Sequence, residues 1–206
     1  MNIYQFNITP LSFHHIDQFI GLQTRVQNAL SAEDECFIKP RTPEMLSEHL
    51  SAQMPIFGVW HGDQLVAAAL VTFPDNECAK HMAGYPFNEA AQAKTNVSIV
   101  QNLYVDPDYR GHKLSSILLN TVGAFSQEKN RTQLMAKVAV KNVDSCKTFL
   151  CNAFQQCATG IDPTRGHDVV FYTAPVGVVQ NKFLEKQKPQ SVVAIVSCAG
   201  PSRHIP

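Results

Sequence analysis

Residues 3–8 alternate apolar and polar positions, and that period of two predicts a half-buried strand. Pro10 closes it, and Ser12 is placed to cap a helix with Ile16, Phe19, Ile20, Val26 and Leu30 on its apolar side. An acidic connection carrying Glu33, Asp34 and Glu35 follows. Thr42-Pro43-Glu44 then reads as a helix start, with proline at the first helical position and Leu46 and Leu50 behind it. The runs IFGVW and LVAAALVTF flank His61-Gly62-Asp63 and predict a β-hairpin. Residues 74–96 are polar and punctuated, which predicts a long loop, and loops of that length inside compact domains tend to be functional. Beyond it the pattern predicts a strand over 97–105, a helix over 114–129 and a strand over 133–140. A short helix over 144–152 and a strand over 168–174 complete it. The order β-α-α-β-β-β-α-β-α-β plus a tail predicts an α/β (α+β) fold, a mixed sheet with helices on both faces.

Composition narrows the classes. A chain of 206 residues suggests one domain, or one with an appendage, able to bury roughly 70% of its unfolded surface. Lys plus Arg and Asp plus Glu number 17 each, so no global field recruits nucleic acid or an acidic membrane. The longest apolar runs, 65–73 and 192–196 with its flanks, fall far short of the ~20 residues a spanning helix needs. Six cysteines without a CxxC pair or zinc-ligand spacing predict free thiols in a reducing compartment and no metal. The start MNIYQFNITP lacks the basic and apolar regions of a signal peptide. The expectation is a cytoplasmic protein with no nucleic-acid or membrane partner.

Chemistry first enters at VDPDYRGHKLSSILL, residues 105–119, where a strand gives way to a helix. The start of a helix presents free N–H groups and the positive end of its dipole, which is an anion site. Gly111 lets a ligand approach the backbone, while Arg110, His112 and Lys113 add donors and charge at the rim. A pyrophosphate fits such a site. On its own RGHK is equally well read as a strand-to-helix turn with solvated charges. Neither GxGxxG nor GxxxxGK[ST] occurs to offer a nucleotide alternative.

After the next predicted strand comes NVDSCKTFLCNAF, residues 142–154. Taken together the two stretches resemble the GNAT superfamily of N-acetyltransferases. Members carry an Arg-x-x-Gly-x-Gly/Ala loop opening a helix, and later an Asn-x-x-(Ser/Ala)-x-x-x-Tyr-x-x-x-Gly-Phe segment. The resemblance covers about the first 175 residues and implies the superfamily fold, a mostly antiparallel sheet flanked by helices, with residues 176–206 as a C-terminal extension. It implies acetyl-CoA as co-substrate, without metal, and a primary amine on a small molecule or peptide as acceptor, attacked directly in a ternary complex. By that resemblance Arg110, Gly111, His112, Lys113, Leu114, Ser115 and Ser116 wrap the pyrophosphate. Backbone groups of Leu103 and Val105 pair with the pantetheine arm, and an amide N–H near Leu103 or Tyr104 holds the oxyanion. Asn142 bonds the pantetheine, while Ser145 and Phe149 flank the thiol end.

The sequence departs from the superfamily pattern in instructive places. Lys113 and Ser115 stand where Gly and Gly/Ala are usual, and helical angles there need no glycine. Ala153 replaces the glycine of the Gly-Phe pair, a similarly mild change. Phe149 stands where many members have a Tyr that protonates the leaving thiolate, so Ser145, Tyr104 or water must serve, or the chain is slow or only binds acyl-CoA as a sensor or partner module. Gln101 and Asn102 occupy the strand position of the Glu base some members use. Glu33, Asp34 and Glu35, or His14, His15, His81 and His167, are the remaining groups able to bind or deprotonate an amine. In the tail, QNKFLEKQKPQ reads as exposed and SVVAIVSC as a strand that extends its own sheet or crosses to a second subunit of a homodimer.

Overall fold

The computed structural model describes residues 5–76, 85–86, 95–186 and 194–195. The chain runs β1 (Phe6–Pro10), α1 (Ile16–Asn28), α2 (Pro43–Ser51), β2 (Ile56–His61), β3 (Gln64–Thr72) and β4 (Val97–Val105). It continues through α3 (Leu114–Glu128), β5 (Gln133–Ala139), α4 (Val143–Cys151), β6 (Gln155–Ile161), β7 (Asp168–Pro175), α5 (Val176–Lys186) and β8 (Ala194–Ile195). The strands form one sheet in the order β6-β7-β5-β4-β3-β2-β1-β8. Every pairing is antiparallel except β4 with β5 and β1 with β8.

The sheet carries a core on each face. On one side α3 and α5 press Leu114, Leu118, Val122, Val176 and Val179 against Val66, Val100, Leu134 and Val138. On the other, Phe19, Leu22 and Val26 of α1 and Leu46 of α2 cover Ala68, Leu70 and Tyr104. Burial of β3 on both faces is why its sequence reads as a continuous apolar run. Local signals place the helix ends. Thr42 Oγ1 accepts from the Met45 N–H with Pro43 at the first helical position. Ser12 opens a short 3-10 turn, Phe13–His15, that runs into α1, whose buried side includes Leu22 and stops before Leu30.

Two elements were not legible in the sequence pattern. β6 is an edge strand that pairs only with β7 and exposes most of its residues, so it shows no apolar alternation. α5 occupies a stretch whose second half reads as polar tail, yet Val176 and Val179 are buried in the same core as α3. Of the tail's expected strand, Ala194–Ile195 pairs with β1 of its own sheet, Phe6 opposite Ala194. The loop expected over residues 74–96 lies mostly outside the described residues.

Candidate active site

β4 and β5 run parallel only from Val97 opposite Gln133 to Val100 opposite Ala136, and then diverge. A bulge drives the separation. Asn102 and Leu103 together face Ala69, and Asn102 takes φ 45°, a left-handed angle that Asn tolerates better than most residues. Beyond the bulge β4 keeps its partner β3 but has lost β5. The Asp106 N–H donates to the Val66 carbonyl (2.9 Å), so Ala68 and Tyr104 form the next hydrogen-bonded pair. Val105 therefore turns its N–H and carbonyl into the gap, as does Leu103 two residues before it. The Tyr104 backbone faces β3, which corrects the expectation that its amide could hold an oxyanion.

The gap opens a cleft of about 920 Å³ that passes through the sheet and reaches both cores. On the α3 side it is closed by Arg110, Gly111, Lys113 and the start of α3. The helix begins without a side-chain cap and without an acidic residue in its first turn. Its first intrahelical bond runs from the Ile117 N–H to the Lys113 carbonyl (3.1 Å), which leaves the amides of Leu114, Ser115 and Ser116 as donors for an anion. Gly111 sits at φ 84° with open space where a Cβ would stand. Lys113 sits at φ 60°, ψ 22°. It is thus not in the helical region, and the expectation that this position needs no glycine is wrong. A left-handed angle costs an L-residue roughly 1–2 kcal/mol. The His112 side chain also departs from expectation. Its Nδ1 lies 3.2 Å from the Tyr109 carbonyl and 3.1 Å from that of Arg110, and its ring packs edge-on against Phe6 at 5.8 Å. His112 and Ser116 are not among the residues lining the cleft.

α4 forms another wall. Asn142 caps it, its Oδ1 accepting from the Ser145 N–H (3.1 Å), which leaves the carboxamide NH₂ for a ligand. The helix ends in a Schellman turn, with the Phe154 N–H on the Phe149 carbonyl (3.1 Å) and the Ala153 N–H on the Leu150 carbonyl (3.3 Å). The apolar contact that accompanies such turns is Phe149 on Phe154, ring centroids 5.0 Å apart. Phe149 also stacks on Tyr172 at 5.9 Å and is 3% exposed. Ala153 holds the left-handed position at φ 68°, so its replacement of glycine strains the backbone as Lys113 does. Ala153→Gly is expected to stabilise the protein by roughly 0.5–1 kcal/mol, because relief of the angle outweighs glycine's entropy. A lower melting temperature for this variant would contradict the geometry.

On the opposite face the wall is polar. The Arg41 Nε donates to Asn102 Oδ1 (3.0 Å) and its Nη2 to Gln101 Oε1 (2.7 Å). Asn102 donates to the Lys39 carbonyl (3.1 Å) and the Tyr104 hydroxyl (2.5 Å), tying the α1–α2 connection to the bulge. Tyr104 is buried against Phe19 at 5.7 Å, and burial pushes its hydroxyl up to about 12 against the pull of that Asn102 bond. Gln101 and Asn102 are thus structural partners of Arg41. Lys137 on β5 pairs with Asp162 at 2.8 Å. Asp162 also accepts from the amides of Thr164 (2.9 Å) and Arg165 (3.1 Å), which shapes the β6–β7 loop. Desolvation opposes its ionisation, but the bonds from Lys137 and those amides bring it down to about 2. A depressed carboxylate stabilises the fold above its unfolded pKa near 4 and loses that contribution as pH falls through 2. We expect Asp162→Asn to remove up to roughly 2 kcal/mol from the acid limb of the stability profile between those values. An unchanged limb would show that the pair contributes nothing.

Of the groups weighed as a base, Asp34 and His167 line the cleft. Asp34 accepts from Ser31 Oγ (2.8 Å), while Glu33 and Glu35 are exposed and outside the lining. His167 has a buried Nδ1 with no hydrogen-bond partner among the described residues. His15 packs on Trp60 at 5.3 Å and bonds Ser12, His14 is exposed, and His81 lies outside the described residues. Cys146 and Cys157 are free thiols. Among the described residues no three His, Cys, Asp or Glu side chains gather as a metal site, and no helix is long and apolar enough to cross a membrane.

A mostly antiparallel sheet split between its fourth and fifth strands, with an uncapped helix start beside the split, defines the acyl-CoA N-acyltransferase fold. The sequence matches the Acetyltransferase (GNAT) family over residues 26–152, and the chain belongs to that family. No curated protein matches it in sequence. Among solved structures it is similar to an N-acetyltransferase from Staphylococcus aureus Mu50, with 16% identity over 84% of this chain and 99% of that one and a TM-score of 0.61. The ribosomal-protein-S18-alanine N-acetyltransferase from Escherichia coli matches with 13% identity over 84% and 94% of the two chains, TM-score 0.60. The protein yncA from Salmonella typhimurium, solved with its cofactor acetyl-CoA, matches with 12% identity over 85% and 95%, TM-score 0.60. At these identities the likeness is one of fold.

Proposed function

We propose that this protein transfers an acetyl group from acetyl-CoA to a primary amine by direct attack in a ternary complex. The observation that carries the reading is one continuous cleft joining the uncapped start of α3 to the unpaired edge of β4. Coenzyme A lies across both. Its pyrophosphate takes the free amides of Leu114 and Ser115, with Arg110 and Lys113 adding charge. The pantetheine arm pairs with Leu103 and Val105 as an added strand and receives the Asn142 carboxamide. The thioester then sits at the split, flanked by Ser145 and Phe149, where the Leu103 N–H stabilises the oxyanion. The amine nitrogen attacks the carbonyl carbon, the C–S bond breaks, and the surplus proton on nitrogen passes through water to the leaving thiolate, giving the amide and the CoA thiol. An ammonium must first lose a proton, and His167 is the cleft residue we assign to accept it.

The departing thiolate has an ordinary pKa near 8.5 and can leave without a dedicated acid at modest loss. Phe149→Tyr places a hydroxyl beside Ser145 and is expected to raise turnover slightly, with acetyl-CoA affinity little changed. A large loss of affinity would mean the ring does not flank the thiol end. A second reading, an acyl-CoA-binding module without turnover, is favoured by two observations. Phe149 lacks the proton donor, and Gln101 and Asn102 are committed to Arg41. Release of free CoA across a panel of primary amines separates the two. Amine-dependent release supports the transferase, and none across the panel supports the module.

A further inference from the structure

The cleft carries a second set of cations that CoA does not account for. Arg110 and Lys113 stand on the α3 side, whereas Lys39, Arg41, Lys137 and Arg165 line the cleft on the side covered by α1 and α2. Among the described residues, Lys39 and Arg41 form no ion pair. Lys137 is matched by Asp162. The other carboxylates in the lining are Asp144, on α4, and Asp34, in the α1–α2 connection, which accepts from Ser31. Arg41 meets only the neutral carboxamides of Asn102 and Gln101, with no carboxylate at ion-pair distance among the described residues. Its backbone is fixed as well, the N–H donating to Gln23 Oε1 (2.7 Å) and the carbonyl accepting from Gln23 Nε2 (3.1 Å). The guanidinium is therefore held rigid, partly desolvated and short of negative charge. Lys39, though exposed, has its pKa lowered by partial burial and by Arg41, Arg165 and Lys137, against the opposing pull of Asp162. A partly desolvated guanidinium without counter-charge is unfavourable unless an anion completes the site.

We propose, resting on the transferase reading of this cleft, that the acceptor is an amine carrying an anionic group, a carboxylate or a phosphate. That group docks on Arg41 and Lys39, and the amine is left to reach the thioester through the split. Arg41 supplies the planar fork that pairs with either oxyanion. Of Glu33, Asp34 and Glu35, weighed from the sequence as groups able to bind or deprotonate an amine, Asp34 lines the cleft and the two glutamates do not.

The test uses the CoA-saturated protein and four short amines: β-alanine, O-phosphoethanolamine, ethanolamine and 1,3-diaminopropane. Calorimetry should find β-alanine or O-phosphoethanolamine bound roughly 10- to 100-fold more tightly than the neutral and cationic probes, with the advantage shrinking in high salt. Which of the two anions binds more tightly identifies the group. Arg41→Gln should erase most of the preference. Lys39→Gln, at an exposed position, should reduce it even if the Arg41 variant folds poorly. Equal binding of all four, tightest binding of 1,3-diaminopropane, or a preference that survives both substitutions would overturn the proposal. CoA release from acetyl-CoA is read in parallel. Anion preference without release would leave the pocket standing and remove the transferase, while release with the cationic probe alone would do the reverse.

Discussion

Arg110→Glu is expected to weaken acetyl-CoA binding by roughly 10²- to 10³-fold while leaving the unliganded fold almost untouched. A charge-assisted hydrogen bond is worth about 1.5–3 kcal/mol, and reversal adds repulsion to its loss. Arg110 is exposed, and its backbone, not its side chain, holds the turn, through its N–H on the Pro107 carbonyl at 3.3 Å. Surface substitutions of this kind stay within about ±0.5 kcal/mol of the original stability. Paired calorimetry and thermal melts check both halves. If binding and stability fell together, the segment from Arg110 to Lys113 would be a structural turn and no more. Lys113→Gly makes a useful companion, since it relieves a left-handed residue while removing one charge. It should raise the melting temperature and lower affinity only modestly.

His167→Gln is expected to lower kcat by roughly 10²- to 10⁴-fold, the range a positioned acid–base group supplies, with acetyl-CoA affinity unchanged. The residue opens the last strand of the cleft wall, its backbone carbonyl accepting from the Asp162 N–H (2.9 Å). Glutamine keeps a polar side chain of similar reach but cannot take a proton. The pH profile makes the test specific. Loss of a base removes the lower limb of kcat/KM, which a packing defect would not do. A small, pH-independent loss would return the deprotonation to water or to Asp34.

How far the sequence carries depends on what each segment has to do. The helix from Leu114 was legible because its apolar positions repeat against one core, and the strand over residues 97–105 because it is a short apolar run packed on both faces. β6 was not, because an edge strand exposed to solvent has no apolar face to advertise. The strand-to-helix turn before α3 was legible at Arg110 and Gly111, but the residues alone read equally well as a turn with solvated charges, and the anion reading came from the resemblance. Lys113 and Ala153 misled for the opposite reason. A left-handed angle leaves a mark in sequence only when glycine occupies it, and here L-residues were forced into it. The bulge at Asn102 was likewise silent, although an Asn inside a strand is the residue that tolerates such an angle. The cationic wall was invisible because Lys39, Arg41, Lys137 and Arg165 are scattered along the chain and meet only in the fold. The sheet, by bringing β5 and the β6–β7 loop beside the α1–α2 connection, assembled what composition had averaged to zero.

A thermal melt across an acetyl-CoA titration tests the central claim, that the split between β4 and β5 and the start of α3 form an acyl-CoA site. Ligand at 100 times its Kd adds about 2.7 kcal/mol by mass action, so the account predicts a melting temperature that climbs with acetyl-CoA concentration. An unmoved melting temperature at millimolar acetyl-CoA would contradict it.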